Sequence, residues 1–189
     1  MDFTTKLRDL PRYVRISILA FLITLSFGYF TGLLYVEDTT DFSAEGIQTN
    51  YNGNESMEND DESFDDDEII FNEFEETEAL SEPIKFKKSE QEIITIIHTH
   101  VLSFSLIFFT TGILLCFSKY PIIIKKILII EPFISIILTF GGIWLLWKDI
   151  HWMKYIVMIS GMLLTIAYIT STILITYELF RKKERSVNQ

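Results

Sequence analysis

Residues 127–147 read ILIIEPFISIILTFGGIWLLW, residues 148–154 read KDIHWMK, and residues 155–177 read YIVMISGMLLTIAYITSTILITY. Each apolar run is long enough to cross a hydrocarbon core of about 30 Å as a helix, which takes ~20 residues. The polar stretch between them is too short for anything but a reversal, so the two runs are expected to form an antiparallel hairpin. This hairpin decides the fold class: an all-α integral membrane protein.

Two further runs of the same kind precede it, residues 16–36 and residues 93–117. The sequence thus predicts a four-helix transmembrane bundle, with spans at 16–36, 93–117, 127–147 and 155–177. The polar segments are then 1–15, 37–92, 118–126, 148–154 and 178–189. The first run exceeds a signal-peptide core and no A-x-A-like site follows it, so it is expected to stay as an anchor. Of the 26 acidic residues 20 fall between Glu37 and Glu92, against three of the 16 basic ones, giving that segment a net charge of −17 and the remainder +7. Such an acidic block beside unbroken apolar runs excludes an ordinary soluble domain. A single cysteine, Cys116, excludes an intrachain disulfide framework and a cysteine-cluster metal site. No basic patch outside the membrane flanks points to nucleic acid.

Orientation follows from the lysines and arginines at the helix ends. Lys6, Arg8, Arg12 and Arg15 precede the first span; Lys119, Lys125 and Lys126 separate the second and third; Arg181, Lys182, Lys183 and Arg185 follow the fourth. With four crossings all three clusters share one side, so both termini are expected in the cytoplasm of a cell or inner membrane, with residues 37–92 external. Trp144, Trp147 and Trp152 flank the external hairpin turn, where amphipathic rings favour the interface. The middle of the external segment, Glu55 to Glu78, holds too much like charge to collapse and is expected to be disordered. Its earlier flank, Phe42 to Asn54, reads as turns packed on the membrane face. Ser89-Glu90-Gln91-Glu92 reads as a helix start.

His98 and His100 are the strongest anomaly, because ionisable groups at membrane depth are costly and are functional candidates by default. Two residues apart on a helix, they face different sides. Helical spacing groups His98 with Ser105, Phe109, Gly112 and Cys116, a stripe expected to face the bundle. Ile97, Phe104, Phe108 and Leu115 form the stripe expected to face lipid. With His151 in the hairpin turn, all three histidines fall in the outer half of the protein. Histidines from two helical elements suit axial ligation of a b-type haem, with His98, His100 and His151 as candidates, or a metal ion held by His98 and His151. They serve equally as hydrogen-bond partners between helices.

Glu131, followed by Pro132, is the second anomaly. It suits proton relay or contact with a quinone head group; otherwise it is a helix-start acid paired with Lys125 or Lys126, with Pro132 in the first turn. Gly28 with Gly32, Gly141 with Gly142, and Gly161 with Thr165 mark faces where helices approach closely. Three functional classes remain open. The first is a small electron-transfer or redox-complex subunit holding haem or metal, its acidic loop drawing a basic soluble partner. The second is a non-catalytic structural or assembly subunit, associated with other membrane subunits or with its own copies. The third is a cation carrier fed by the acidic loop.

Overall fold

Residue order and helix chemistry account for where each element begins. Pro11 and Pro121, both extended at φ −53° and −55°, stand immediately before long helices, where a missing N–H costs nothing. Ser89 starts another through a capping box: its side chain accepts from the Glu92 N–H, and the Glu92 carboxylate accepts from the Ser89 N–H. The computed structural model describes residues 7–54 and 85–181. Within them a short 3-10 turn at Leu7–Asp9 leads to α1 (Arg12–Thr40), α2 (Ala44–Asn52), α3 (Glu90–Cys116), α4 (Ile122–Trp147) and α5 (Met153–Phe180). The acidic stretch Glu55 to Glu78 lies outside the described residues, as do Lys6, Lys182, Lys183 and Arg185.

The long helices run alternately up and down. One end of the bundle, the terminal end, gathers the start of α1, the α3–α4 turn and the end of α5. There the Leu7 N–H donates to the Phe117 carbonyl at 3.1 Å, Tyr120 Oη donates to the Leu174 carbonyl at 3.4 Å, and Arg15 Nη2 donates to the Leu179 carbonyl. Lys125 Nζ donates to the Ser118 carbonyl at 2.6 Å, placing a cation at the negative end of α3. The opposite, loop end gathers α2, residues 85–89 and the α4–α5 turn.

The α4–α5 pair forms the tightest seam. Thr139 Oγ1 and Ser160 Oγ meet at 2.7 Å, and a Cβ on Gly142 would stand 2.8 Å from Val157 Cγ2. Gly142 therefore works by close approach rather than by conformational freedom. Around this seam lies an aromatic interior of Tyr29, Phe104, Phe108, Phe140 and Tyr168. Helix α1 is held more sparingly. Its Tyr29 ring stacks on Tyr168 with centroids 3.9 Å apart, and the hydroxyls cross reciprocally, Tyr29 donating to Thr165 and Ser26 meeting Tyr168, both at 3.1 Å.

Several expectations change. The stripe taken to face lipid is the packed one: Phe108 and Leu115 are buried and Ile97 and Phe104 half-buried, whereas His98, Phe109 and Cys116 are exposed. Of the stripe expected to face the bundle only Gly112 is buried, beside Thr111, and Ser105 is half-buried; the rest of the inward face of α3 is built from large apolar and aromatic side chains. Helix α4 begins at Ile122, which puts Pro132 inside the helix rather than in its first turn. Residues 42–54, read as turns, contain a nine-residue helix capped by Ser43, whose side chain accepts from the Gly46 N–H. A Cβ on Gly28, Gly32, Gly141 or Gly161 would meet nothing within 4 Å, so among these glycines only Gly142 marks a close approach.

The outer surface is apolar on all sides. Phe27, Leu106, Ile137 and Ile166 are each more than half exposed on four different helices, a surface that calls for lipid rather than water. Helices α1, α3 and α5 are long and apolar enough to cross a membrane. The protein is a membrane protein whose described residues form helices and no strands. Gly142→Ala is expected to lower the midpoint of thermal unfolding in detergent by several degrees, since overpacking a seam costs about 1–3 kcal/mol. Gly141→Ala, with open space beside it, should leave the midpoint unchanged or raise it.

Candidate functional site

The densest polar construction among the described residues is the cap at the loop end, and local chemistry explains its shape. Helix α2 stops at Gly53, whose φ of +81° suits glycine, and a Cβ there would also collide with the Lys85 carbonyl at 2.5 Å. The chain can therefore lie directly against residues 85–88. The Asn54 N–H donates to the Lys85 carbonyl at 3.0 Å, the Lys85 N–H donates back to Asn54 Oδ1 at 2.7 Å, and the Lys88 N–H donates to the Tyr51 carbonyl at 3.2 Å. These three bonds join the two ends of residues 55–84, a stretch of fourteen acidic residues and no basic ones.

The clasp is bolted to the α4–α5 turn. Asn52 Nδ2 donates to the Leu146 carbonyl at 3.0 Å and to Asp149 Oδ1 at 3.2 Å. Trp147 Nε1 donates to the Lys88 carbonyl at 2.8 Å, and Lys87 Nζ reaches Asp149 at 2.8 and 3.1 Å. Lys148 lies over both Trp144 and Trp147, 5.1 and 4.4 Å from the ring centroids. Lys154 ties the start of α5 to α2 through Gln48 at 3.0 Å and Glu45 at 3.5 Å. The hydrogen bond from Lys87, aided by its charge, holds the Asp149 carboxyl below the usual aspartate range. Burial, with Tyr35 nearby, pushes the Tyr51 phenol up to about 12, so it stays neutral and packs under the clasp.

The histidines have separate surroundings. His98 lines an open apolar groove between α3 and α4 with Ile94, Val101, Ile137 and Trp144. His100 donates from Nδ1 to the Ile96 carbonyl at 2.9 Å and lies beside the Phe104 and Phe140 rings, 6.2 and 5.7 Å away. His151 belongs to the cap, its Nδ1 at 3.4 Å from Gln48 Nε2. Among the described residues no three of His, Cys, Asp and Glu gather to hold a metal ion. Glu131 lies in the third turn of α4 and accepts a hydrogen bond on Oε1 from Ser135, one turn along its own helix.

Sequence reasoning overlooked the clasp residues Asn52, Asn54, Lys85, Lys87 and Lys88, the Tyr29–Tyr168 pair and the buried carboxylate Glu178. The spacing Leu164, Ser171, Glu178 is a heptad step on α5 and was the available sign that Glu178 lies on the packed face. For the clasp, the Asn52-Gly53-Asn54 turn and the three lysines ending an acidic stretch were the available signals.

The Lys87–Asp149 link sets a pH dependence. Because the folded carboxyl titrates lower than in the unfolded chain, its contribution is present above about pH 4 and is lost as pH falls through the depressed value. Both groups are substantially exposed, so screening keeps it under about 0.5 kcal/mol. Hydrogen-exchange protection of the Lys88 amide should weaken on acidification in the wild type, and Asp149→Asn should remove that step.

No curated protein and no solved structure matches the chain. A family model does, over residues 41–186, which takes in the cap and α2 to α5. The chain belongs to the Aq_1264_TM family, a transmembrane helical domain.

Proposed function

We propose that the protein is a non-catalytic membrane scaffold subunit that presents an acidic loop on a fixed base at one face of the membrane. The clasp of Asn54, Lys85 and Lys88 on the α4–α5 turn carries this reading. It spends most of the polar chemistry at the loop end on holding the two ends of one charged segment together. In this reading α4, 26 residues or about 39 Å of helix, is a fourth crossing between α3 and α5. Arg12, Arg15, Lys119, Lys125, Lys126 and Arg181 then mark the cytoplasmic side, and the loop is external. Its charge would attract a basic partner domain, steering association in a salt-sensitive way. The exposed apolar flanks would meet neighbouring membrane subunits.

A second reading keeps the redox class. His98 lies outward on an apolar groove beside Trp144, a position from which it would ligate a haem with a second ligand supplied by a neighbouring subunit. The cation-carrier reading rests on Glu131 alone and has less support.

The test exchanges residues 55–84 for a neutral Gly/Ser linker of equal length and follows the chain in mildly solubilised native membranes. The scaffold reading expects the wild type in an assembly larger than itself, dissociating as salt is raised, and the exchanged chain released from it with an unchanged unfolding midpoint. A wild-type chain that migrates alone would overturn it. A reduced-minus-oxidised absorption band that vanishes in His98→Ala would move the assignment to the redox reading.

A further inference from the structure

Inside a membrane a buried polar atom without a partner is expensive, and one that persists is ordinarily met by ordered water. Such atoms are not spread evenly here. Within the long helices, the buried side-chain atoms lacking a hydrogen-bond partner among the described residues are Arg15 Nε, Glu131 Oε2, Ser171 Oγ, Thr172 Oγ1 and Glu178 Oε1. All five belong to the terminal half of the bundle. In the other half the buried hydroxyls are paired: Ser160 with Thr139 and with the Ile156 carbonyl, Thr165 with Tyr29.

The antiparallel register of the seam sets their levels. Thr139 stands opposite Ser160 and Gly142 opposite Val157, which places Glu131 level with Tyr168. Ser171 and Thr172 lie about one turn toward the terminal end, and Glu178 about two turns further. Glu178 is 1% exposed and Ser171 also 1% exposed, so neither meets bulk solvent directly. Ser160, Ser171 and Glu178 recur on the packed side of α5, the side that meets α4 at Ser160. Beside Glu178, the Tyr120 phenol is pushed up first by burial and then by the Glu178 carboxylate, with Arg181 opposing. Arg15 completes the group from α1.

We propose that ordered internal water occupies the terminal half of the α4–α5 seam and links Glu178 to Glu131, so that the Glu131 carboxyl exchanges protons with the terminal side of the membrane and not with the loop side. Each of these oxygens offers an acceptor and the two hydroxyls also donate, the kinds of partner an internal water uses. The paired hydroxyls Thr139 and Ser160, with Gly142 closed on Val157, end the line. The path is therefore a half-path, closed on the loop side. It stands on different residues from the clasp, so it holds or falls independently of the scaffold reading.

Silver ion, small enough to follow a file of water and reactive toward thiols, is the probe. In full-length chain carrying Cys116→Ser and held in lipid nanodiscs, Ser171→Cys and Thr172→Cys are compared with Ser160→Cys and Leu164→Cys. Thiols left after silver exposure are counted with a maleimide in denaturant. Positions 171 and 172 should react at least roughly tenfold faster than 160 and 164, as a hydrated line against a dry seam requires. Equal rates, or faster reaction at 160 and 164, would overturn the proposal. X-ray radiolysis of the wild-type chain decides the case without any variant. Ile175, fully buried, should be oxidised by adjacent water, whereas Ile143 and Leu164, similarly buried in the loop half, should not. Protection of all three would overturn the proposal.

Discussion

The close contact of α4 with α5 is the constraint on which the other elements depend. With Gly142 set against Val157 and Thr139 bonded to Ser160, the two helices are fixed in register over their loop-end halves. That register places Trp147 and Asp149 where residues 85–88 and Asn52 can bond to them. It also sets the surface on which α3 lays Phe104 and Phe108, and the groove into which Tyr168 turns toward α1. In lipid, apolar side chains gain nothing by leaving their surroundings for one another, so close fit and polar contacts decide which helices stay together.

Helix α1 illustrates the alternative to tight packing. It buries only Leu22 and Thr40 fully, and polar and aromatic contacts dominate its attachment: two crossed hydroxyl pairs, one ring stack, and the bond from Arg15 to the Leu179 carbonyl. These bonds satisfy phenols and hydroxyls that would be costly to leave unpaired in hydrocarbon. The result is a core of three closely associated helices with a fourth moored to them by polar clips.

Much of the fold was legible because hydrophobicity and punctuation agree. The 127–177 stretch reads as a hairpin from run length alone, and Ser89 with Glu92 announces the start of α3 by its capping chemistry. What failed was orientation about the helix axis. The stripe of His98, Ser105, Phe109, Gly112 and Cys116 resembles an interior face when the interior is assumed to be small and polar, yet of its members only Gly112 is buried. Here aromatic rings from four helices fill the interior, so the bulky stripe of Phe104 and Phe108 turned inward. Rotation depends on the shapes of partners across the bundle, which no single helix records. The clasp was illegible for a related reason: Asn54 and Lys85 are 31 positions apart, and their pairing depends on Gly53 turning the chain toward its later half. Glu131 was visible as an anomaly, but its bond to Ser135 and its place inside α4 depend on where the helix begins.

The joined ends of residues 55–84 have a consequence for how this architecture tolerates change. Once Asn54 and Lys85 are bonded, the bundle is insulated from the length of what lies between them. Each doubling of a flexible loop costs only about 0.6 kcal/mol in closure entropy, little against a base secured by several hydrogen bonds. The same helical platform can therefore carry a longer, shorter or recoded segment. For the experimenter the same junction is a natural port: a folded domain with adjacent termini, spliced between Asn54 and Lys85, would be displayed on the membrane without disturbing the helices beneath it.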